Sequence, residues 1–119
     1  MTLTTLVLGG RASMREAAIA VAVDVQLGTA LILEGMPDGC STLDALADHA
    51  KLHIARVAPG CLCCTGNLIM RVTLNRILRH PPERLFISLA TPAHIDGIRA
   101  FLSQAPYDKL LTVTKDMQV

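Results

Sequence analysis

Leu3-Thr4-Thr5-Leu6-Val7-Leu8-Gly9-Gly10-Arg11-Ala12-Ser13-Met14 opens the chain with an apolar run, a double glycine and the start of a helical pattern. Residues 3–8 read as a strand that the two glycines end. Beyond them Met14, Ala18, Val21, Ala22 and Val25 recur at i, i+4, i+7, i+8 and i+11, the spacing of one helix face. The Ala-rich run over residues 17–23 leaves this helix almost no polar side, which predicts burial on more than one face. Gly28 ends it.

The alternation continues outward from this unit. Residues 29–33 form a second β-type run, closed by Gly35, Pro37 and Gly39. Ser41 or Thr42 caps a helix reaching to about residue 50, with Leu43, Leu46 and Ala47 inward. Residues 53–57 read as a third strand. A helix opening after Thr65 or Asn67 carries an apolar stripe of Met70, Leu74, Ile77 and Leu78 and a polar one of Arg71, Asn75 and Arg79, and Pro81-Pro82 stops it. Residues 84–90 are a fourth strand centred on Leu85, Phe86 and Ile87. Residues 94–104 are a helix with Ile95, Ile98 and Leu102 inward, and residues 110–114 a fifth strand. Consecutive parallel strands need crossovers, so this order predicts an α/β fold of three layers, a mainly parallel five-stranded sheet between helices. It forms one domain over residues 1–119. Ligands of such sheets sit beyond the carboxyl ends of the strands, where the segments 9–13, 34–40, 59–67 and 91–96 converge.

Composition fits this reading. The 119 residues suffice for one domain; 51% are hydrophobic, only 3% aromatic, and none is Trp, so the core is built from aliphatic side chains. A net charge of +1 gives no basis for a nucleic-acid or anionic-membrane partner. Arg71, Arg76 and Arg79 read as the solvated face of a helix. No apolar run approaches the ~20 residues of a membrane span. Residues 1–5 carry no basic region and no signal-type core follows, so a cytoplasmic, reducing setting is expected, in which four cysteines are thiols.

Three of those thiols crowd into Cys61-Leu62-Cys63-Cys64, between Pro59-Gly60 and Thr65-Gly66-Asn67. A disulfide between the neighbours Cys63 and Cys64 would strain the peptide. Burial as small hydrophobes is the plain alternative. The clustering instead suits a thiophilic divalent ion, zinc foremost, which takes thiolates at about 2.3 Å in a tetrahedral shell. Cys61 and Cys64 have the C-x-x-C spacing and Cys63 offers a third sulfur. The segment also runs into a helix, whose N-terminal N–H groups favour thiolate. A fourth ligand comes from Glu34, Cys40, His94 or water. Three protein ligands and one exchangeable position belong to a site that hands a metal on or uses it. A thiol redox or sensor role for Cys61 and Cys64 is a further alternative.

The start of the chain also has the layout of a phosphate loop: strand, glycine turn, helix. A working loop reads G-x-x-x-x-G-K-S/T. Counted from Gly9, Met14 stands where the second glycine belongs, Arg15 where Lys belongs, and Glu16 where the hydroxyl belongs. Met14 brings a Cβ into the turn and Glu16 a negative charge. Gly9, Gly10 and Arg15 are the remaining candidate phosphate contacts, with Asp96 a candidate for magnesium.

The order of parts, with Gly60-Cys61-Leu62-Cys63-Cys64-Thr65 as its most specific piece, resembles the CobW-type GTPases implicated in metal delivery, whose corresponding run is G-C-x-C-C-T. The resemblance covers nearly all of this chain and the N-terminal part of a family member. It implies a P-loop-type α/β domain with Cys61, Cys63 and Cys64 as ligands of zinc, cobalt or a related ion. The metal itself, a metal-recipient protein and self-association are the partners it leaves open. The family's N-E-x-G-E loop becomes Glu34-Gly35-Met36-Pro37-Asp38-Gly39, where Glu34 or Asp38 could stand in. Its E-T-x-G-x-x-D-P run becomes Ser88 through Asp96 and lacks the acid at the strand end. The guanine-reading N-K-x-D segment is absent, and Thr114-Lys115-Asp116 is expected on a strand. These losses imply a metal-binding module without GTP hydrolysis; residual GTP or ATP binding is the enzymatic alternative.

Overall fold

The computed structural model describes residues 2–24, 26–35, 43, 46, 50–58, 68–91, 93 and 95–119. The elements run β1 (Thr2–Leu8), α1 (Ala12–Ala22), β2 (Thr29–Glu34), β3 (Leu52–Val57), α2 (Leu68–Ile77), β4 (Arg84–Ser88), α3 (Ile95–Leu102), a 3-10 turn (Tyr107–Lys109), β5 (Leu111–Val113) and β6 (Met117–Gln118). The sheet order is β3-β2-β4-β1-β5, with β6 also beside β1. Every ladder is parallel. The fold is therefore the expected three-layer α/β type, of the P-loop-NTPase-like class, with a sixth short strand.

That extra strand is the continuation of an interrupted edge. β5 pairs with Thr2, Leu3 and Thr4, and β6 with Val7 and Leu8 of the same β1. Between them the Thr114 N–H and hydroxyl both donate to the Thr4 carbonyl, at 2.7 and 3.1 Å. Asp116 turns away to pair with Arg99. Residues 114–116 are thus a break in the strand, not part of it, which corrects the expectation for Thr114-Lys115-Asp116.

Strand alternation sorts the core into two layers. Leu6, Leu8, Ala30, Ile32, Leu85 and Ile87 meet α2 and α3 through Met70, Leu74, Ile77, Ile98, Phe101 and Leu102. Val7, Leu31, Leu33 and Phe86 meet Ile19 of α1 and Leu43 on the other face. Each fully buried Leu or Ile contributes roughly 1.5–3 kcal/mol, which makes these two layers the main source of stability. The directions of travel explain the layering. From β1 to β2 to β3 the chain moves toward one edge, with α1 and Leu43 on one face. From β3 to β4 to β5 it moves back, with α2 and α3 on the other. Crossovers of one hand require this exchange of faces when direction reverses.

The stripes of α2 and α3 are as their periodicity predicts, with Phe101 added to the buried side of α3. Helix α1 differs. It ends at Ala22, and Met14 and Val21 of the expected inward stripe are 45% and 89% exposed. The buried residues are Arg15, Glu16 and Ile19, so the helix is turned with its two charges inward. The expected helix over residues 42–50 lies largely outside the described residues; Leu43 is buried and Leu46 packs partly beside it. No helix among the described residues is long and apolar enough to cross a membrane.

Candidate functional site at the carboxyl edge of the sheet

Because all strands are parallel, Leu8, Glu34, Val57 and Ser88 end on one edge. Strands β1 and β4 are neighbours whose following helices lie on opposite faces, the divergence point at which open α/β sheets take ligands. The side chain of Arg15 reaches that point. Its Nε donates to Ser88 Oγ at 2.8 Å, and its Nη1 donates to the carbonyls of Gly9 at 3.2 Å and Gly10 at 2.9 Å. The turn that makes this possible needs glycine, with φ of 89° at Gly9 and 57° at Gly10. Met14 closes over it, its sulfur 3.1 Å from where a Cβ on Gly10 would stand.

The turn is short. α1 begins at Ala12, so Met14, the counterpart of the second loop glycine, already lies within the helix. A phosphate cradle presents backbone N–H groups to its ligand. Here the carbonyls of Gly9 and Gly10 face a guanidinium. The fold does bring Gly9, Gly10 and Arg15 together, and it bonds them to one another.

Arg15 is 3% exposed, and burial pulls its pKa below the ordinary arginine value, while the negative charges of Glu34 and Glu16 push it back. Glu34 is equally buried, and its Oε1 accepts the Ala90 N–H at 2.7 Å, tying the end of β2 to the segment after β4. Glu16 receives both terminal nitrogens of Arg56 from β3, at 3.0 and 3.1 Å. Two acids and two guanidinium groups thus form a quartet under α1, Arg56 ion-paired with Glu16 and Arg15 favoured by the charges of both acids. Buried charges are tolerated when paired and hydrogen-bonded in this way.

Of the expected metal ligands, Cys40, Cys61, Cys63, Cys64 and His94 lie outside the described residues. Glu34 is placed at the carboxyl edge, in register with Val57, the last residue of β3 before the cysteine segment. Asp96 is exposed in the first turn of α3. Among the described residues no group of three His, Cys, Asp or Glu side chains comes together as a metal site. Sequence reasoning missed Ser88, Glu16 and Arg56 as members of the edge network. The signal for one of them was present: Glu16 lies three residues before Ile19, on the helix face it shares.

Compared with known proteins, the chain matches no family model, and no curated protein or solved structure matches it significantly.

Proposed function

We propose that this chain is a metal-binding module that holds one thiophilic divalent ion, zinc foremost, on Cys61, Cys63 and Cys64, without nucleotide hydrolysis. The observation that carries the proposal is sulfur density: three thiols in four positions, between Gly60 and Gly66. A soft ion rewards that clustering, and a packed core has no need of it.

The architecture supports the reading in two ways. Segment 59–67 connects the carboxyl end of β3 to α2, and the connections after β2 and β3 lead to opposite faces, a second divergence point of the sheet. The segment also runs directly into the N-terminus of a ten-residue helix, which favours thiolate. Three thiolates then leave one position for Cys40, His94 or water. Glu34 is the poorest fourth donor, since it already serves Ala90 and offsets the charge of Arg15.

The resemblance of Gly60 through Thr65 to the G-C-x-C-C-T run of the CobW-type proteins points to metal delivery, with the ion as cargo for a recipient protein. Nucleotide chemistry is disfavoured because Arg15 is committed to Ser88 and the two glycine carbonyls. The exposed Met14 and Val21 on α1 offer a surface for self-association.

The proposal is tested by elemental analysis of protein purified without chelator, beside the triple variant Cys61→Ser/Cys63→Ser/Cys64→Ser. About one equivalent of zinc or a related ion is expected in the parent and none in the variant. A metal-free parent that takes up no ion at micromolar concentration overturns it.

A further inference from the structure

At the amino edge of the sheet, opposite the cysteine segment, a half-open cavity of about 450 Å³ lies between the starts of β2 and β3 and the last turn of α2. Its apolar lining includes Ile77, Pro81 and Pro82. Three cations line it, Lys51 just before β3, Arg76 in the last turn of α2 and Arg79 just after it, with His53 of β3 and His80 beside them. Among the described residues no acidic one lines it. None of the five forms an ion pair among the described residues; Lys51 Nζ donates to the Gln26 carbonyl at 3.0 Å.

Arg76 and Arg79 alone would be unremarkable, because cations offset the partial negative charge at a helix C-terminus. Lys51 and His53 have no such duty. Lys51 immediately precedes β3 and His53 belongs to it, and the register that sets Ala30 against His53 brings them to the same opening. Like charges converging from two elements repel unless water or an anion screens them. The volume falls within the range of small-molecule sites, which combine apolar walls with a few convergent polar groups. A guanidinium fork can donate two parallel N–H···O bonds to a pair of phosphate oxygens.

We propose that this cavity binds a phosphate monoester whose organic body is apolar or aromatic, the dianion meeting Lys51, Arg76 and Arg79 and the body resting on Ile77, Pro81 and Pro82. The site is independent of the metal reading, since it shares no residue with the cysteine segment. The test is titration of the full chain at constant ionic strength with phenyl phosphate, inorganic phosphate and benzyl alcohol, followed by calorimetry and by amide shifts over residues 28–30, 51–53 and 76–80. Phenyl phosphate is expected to bind saturably with Kd of about 1 mM or tighter, and each fragment at least about tenfold more weakly. Arg76→Gln/Arg79→Gln is expected to weaken it by about tenfold or more, and the exposed Lys51→Gln by about threefold, with thermal unfolding confirming that each variant folds. If the double variant does not fold, Lys51→Gln/His53→Gln carries the same expectation. No saturable binding, unchanged affinity in the folded variants, or equal binding of inorganic phosphate or benzyl alcohol overturns the proposal.

Discussion

Arg15 and Ser88 stand 73 residues apart in the chain and are joined by an Nε–H···Oγ bond of 2.8 Å. That bond locks α1 onto β4 at the point where β1 and β4 diverge. It converts the usual ligand crevice of a parallel sheet into part of the buried framework.

Removing the guanidinium should therefore act on stability. Arg15→Met removes the donor that serves Ser88 Oγ and the Gly9 and Gly10 carbonyls, together with a cation that faces Glu34 and Glu16, and leaving buried polar groups unsatisfied costs about 1–3 kcal/mol. Denaturant unfolding should show a loss approaching that range. Arg15→Lys should recover only part of it, because an ammonium lacks the planar fork that reaches Ser88 and two carbonyls together. Adding Glu34→Gln to Arg15→Met should recover part of the loss, since the amide still accepts from Ala90 but carries no charge, while the bonds to Ser88 and the two glycine carbonyls stay broken. A loss of less than about 0.5 kcal/mol for Arg15→Met would show that the quartet is not a structural unit.

Tyr107 provides a pH test away from the edge. Its hydroxyl donates to Asn75 Oδ1 at 2.8 Å, and its ring lies 5.1 Å from that of Phe101. Burial raises its pKa, and the Arg71 cation only partly opposes this. The folded state thus holds the phenolic proton more tightly than the unfolded chain. The associated stability is whole below about pH 10, the ordinary tyrosine value, and is lost as pH rises through the higher folded-state value. Tyr107 is the single tyrosine and the chain has no Trp, so phenolate absorbance reports it directly. The midpoint should lie above about 10 in the folded protein, and Tyr107→Phe should remove this part of the alkaline loss. A midpoint at or below the ordinary value contradicts the assignment.

Thr4 supplies a gain-of-stability test. Its Oγ1 is fully buried and has no hydrogen-bond partner among the described residues, although its carbonyl accepts twice from Thr114. Thr4→Val keeps the shape and removes an unsatisfied hydroxyl. Thermal unfolding should show no loss and a gain of up to about 1 kcal/mol. A loss of that size would mean the hydroxyl is bonded in solution.

The first helix shows where the sequence was legible and where it was not. Glycine, proline and apolar runs marked the strands and their order, because parallel strands buried on both faces need continuous aliphatic sequence whatever lies around them. The stripes of α2 and α3 were equally readable, since their polar faces meet solvent. In α1 the periodicity rule failed at Met14 and Val21. Hydropathy assigns Arg15 and Glu16 to water, yet Ser88, Arg56 and Glu34 arrive from three different strands to neutralise them. Partners so distant in sequence leave no local trace. β6 was missed for a related reason: two residues carry no period, and only the neighbouring β1 makes them a strand. At the edge itself, the convergence of strand ends was readable and the commitment of Arg15 to its own turn was not.

That commitment yields a fourth expectation. Millimolar GTP with magnesium should leave the melting temperature unchanged, whereas binding at 100 times Kd would add about 2.7 kcal/mol. A concentration-dependent rise, abolished by chelating the magnesium, would restore nucleotide to the account.

On the proposed function, Cys61, Cys63 and Cys64 share one ion. X-ray absorption at the zinc edge of the zinc-loaded chain addresses it most directly. Three sulfur neighbours at about 2.3 Å, with one lighter or sulfur ligand completing a tetrahedron, are expected. A shell of oxygen and nitrogen alone, or a protein from which the ion washes away, would contradict it.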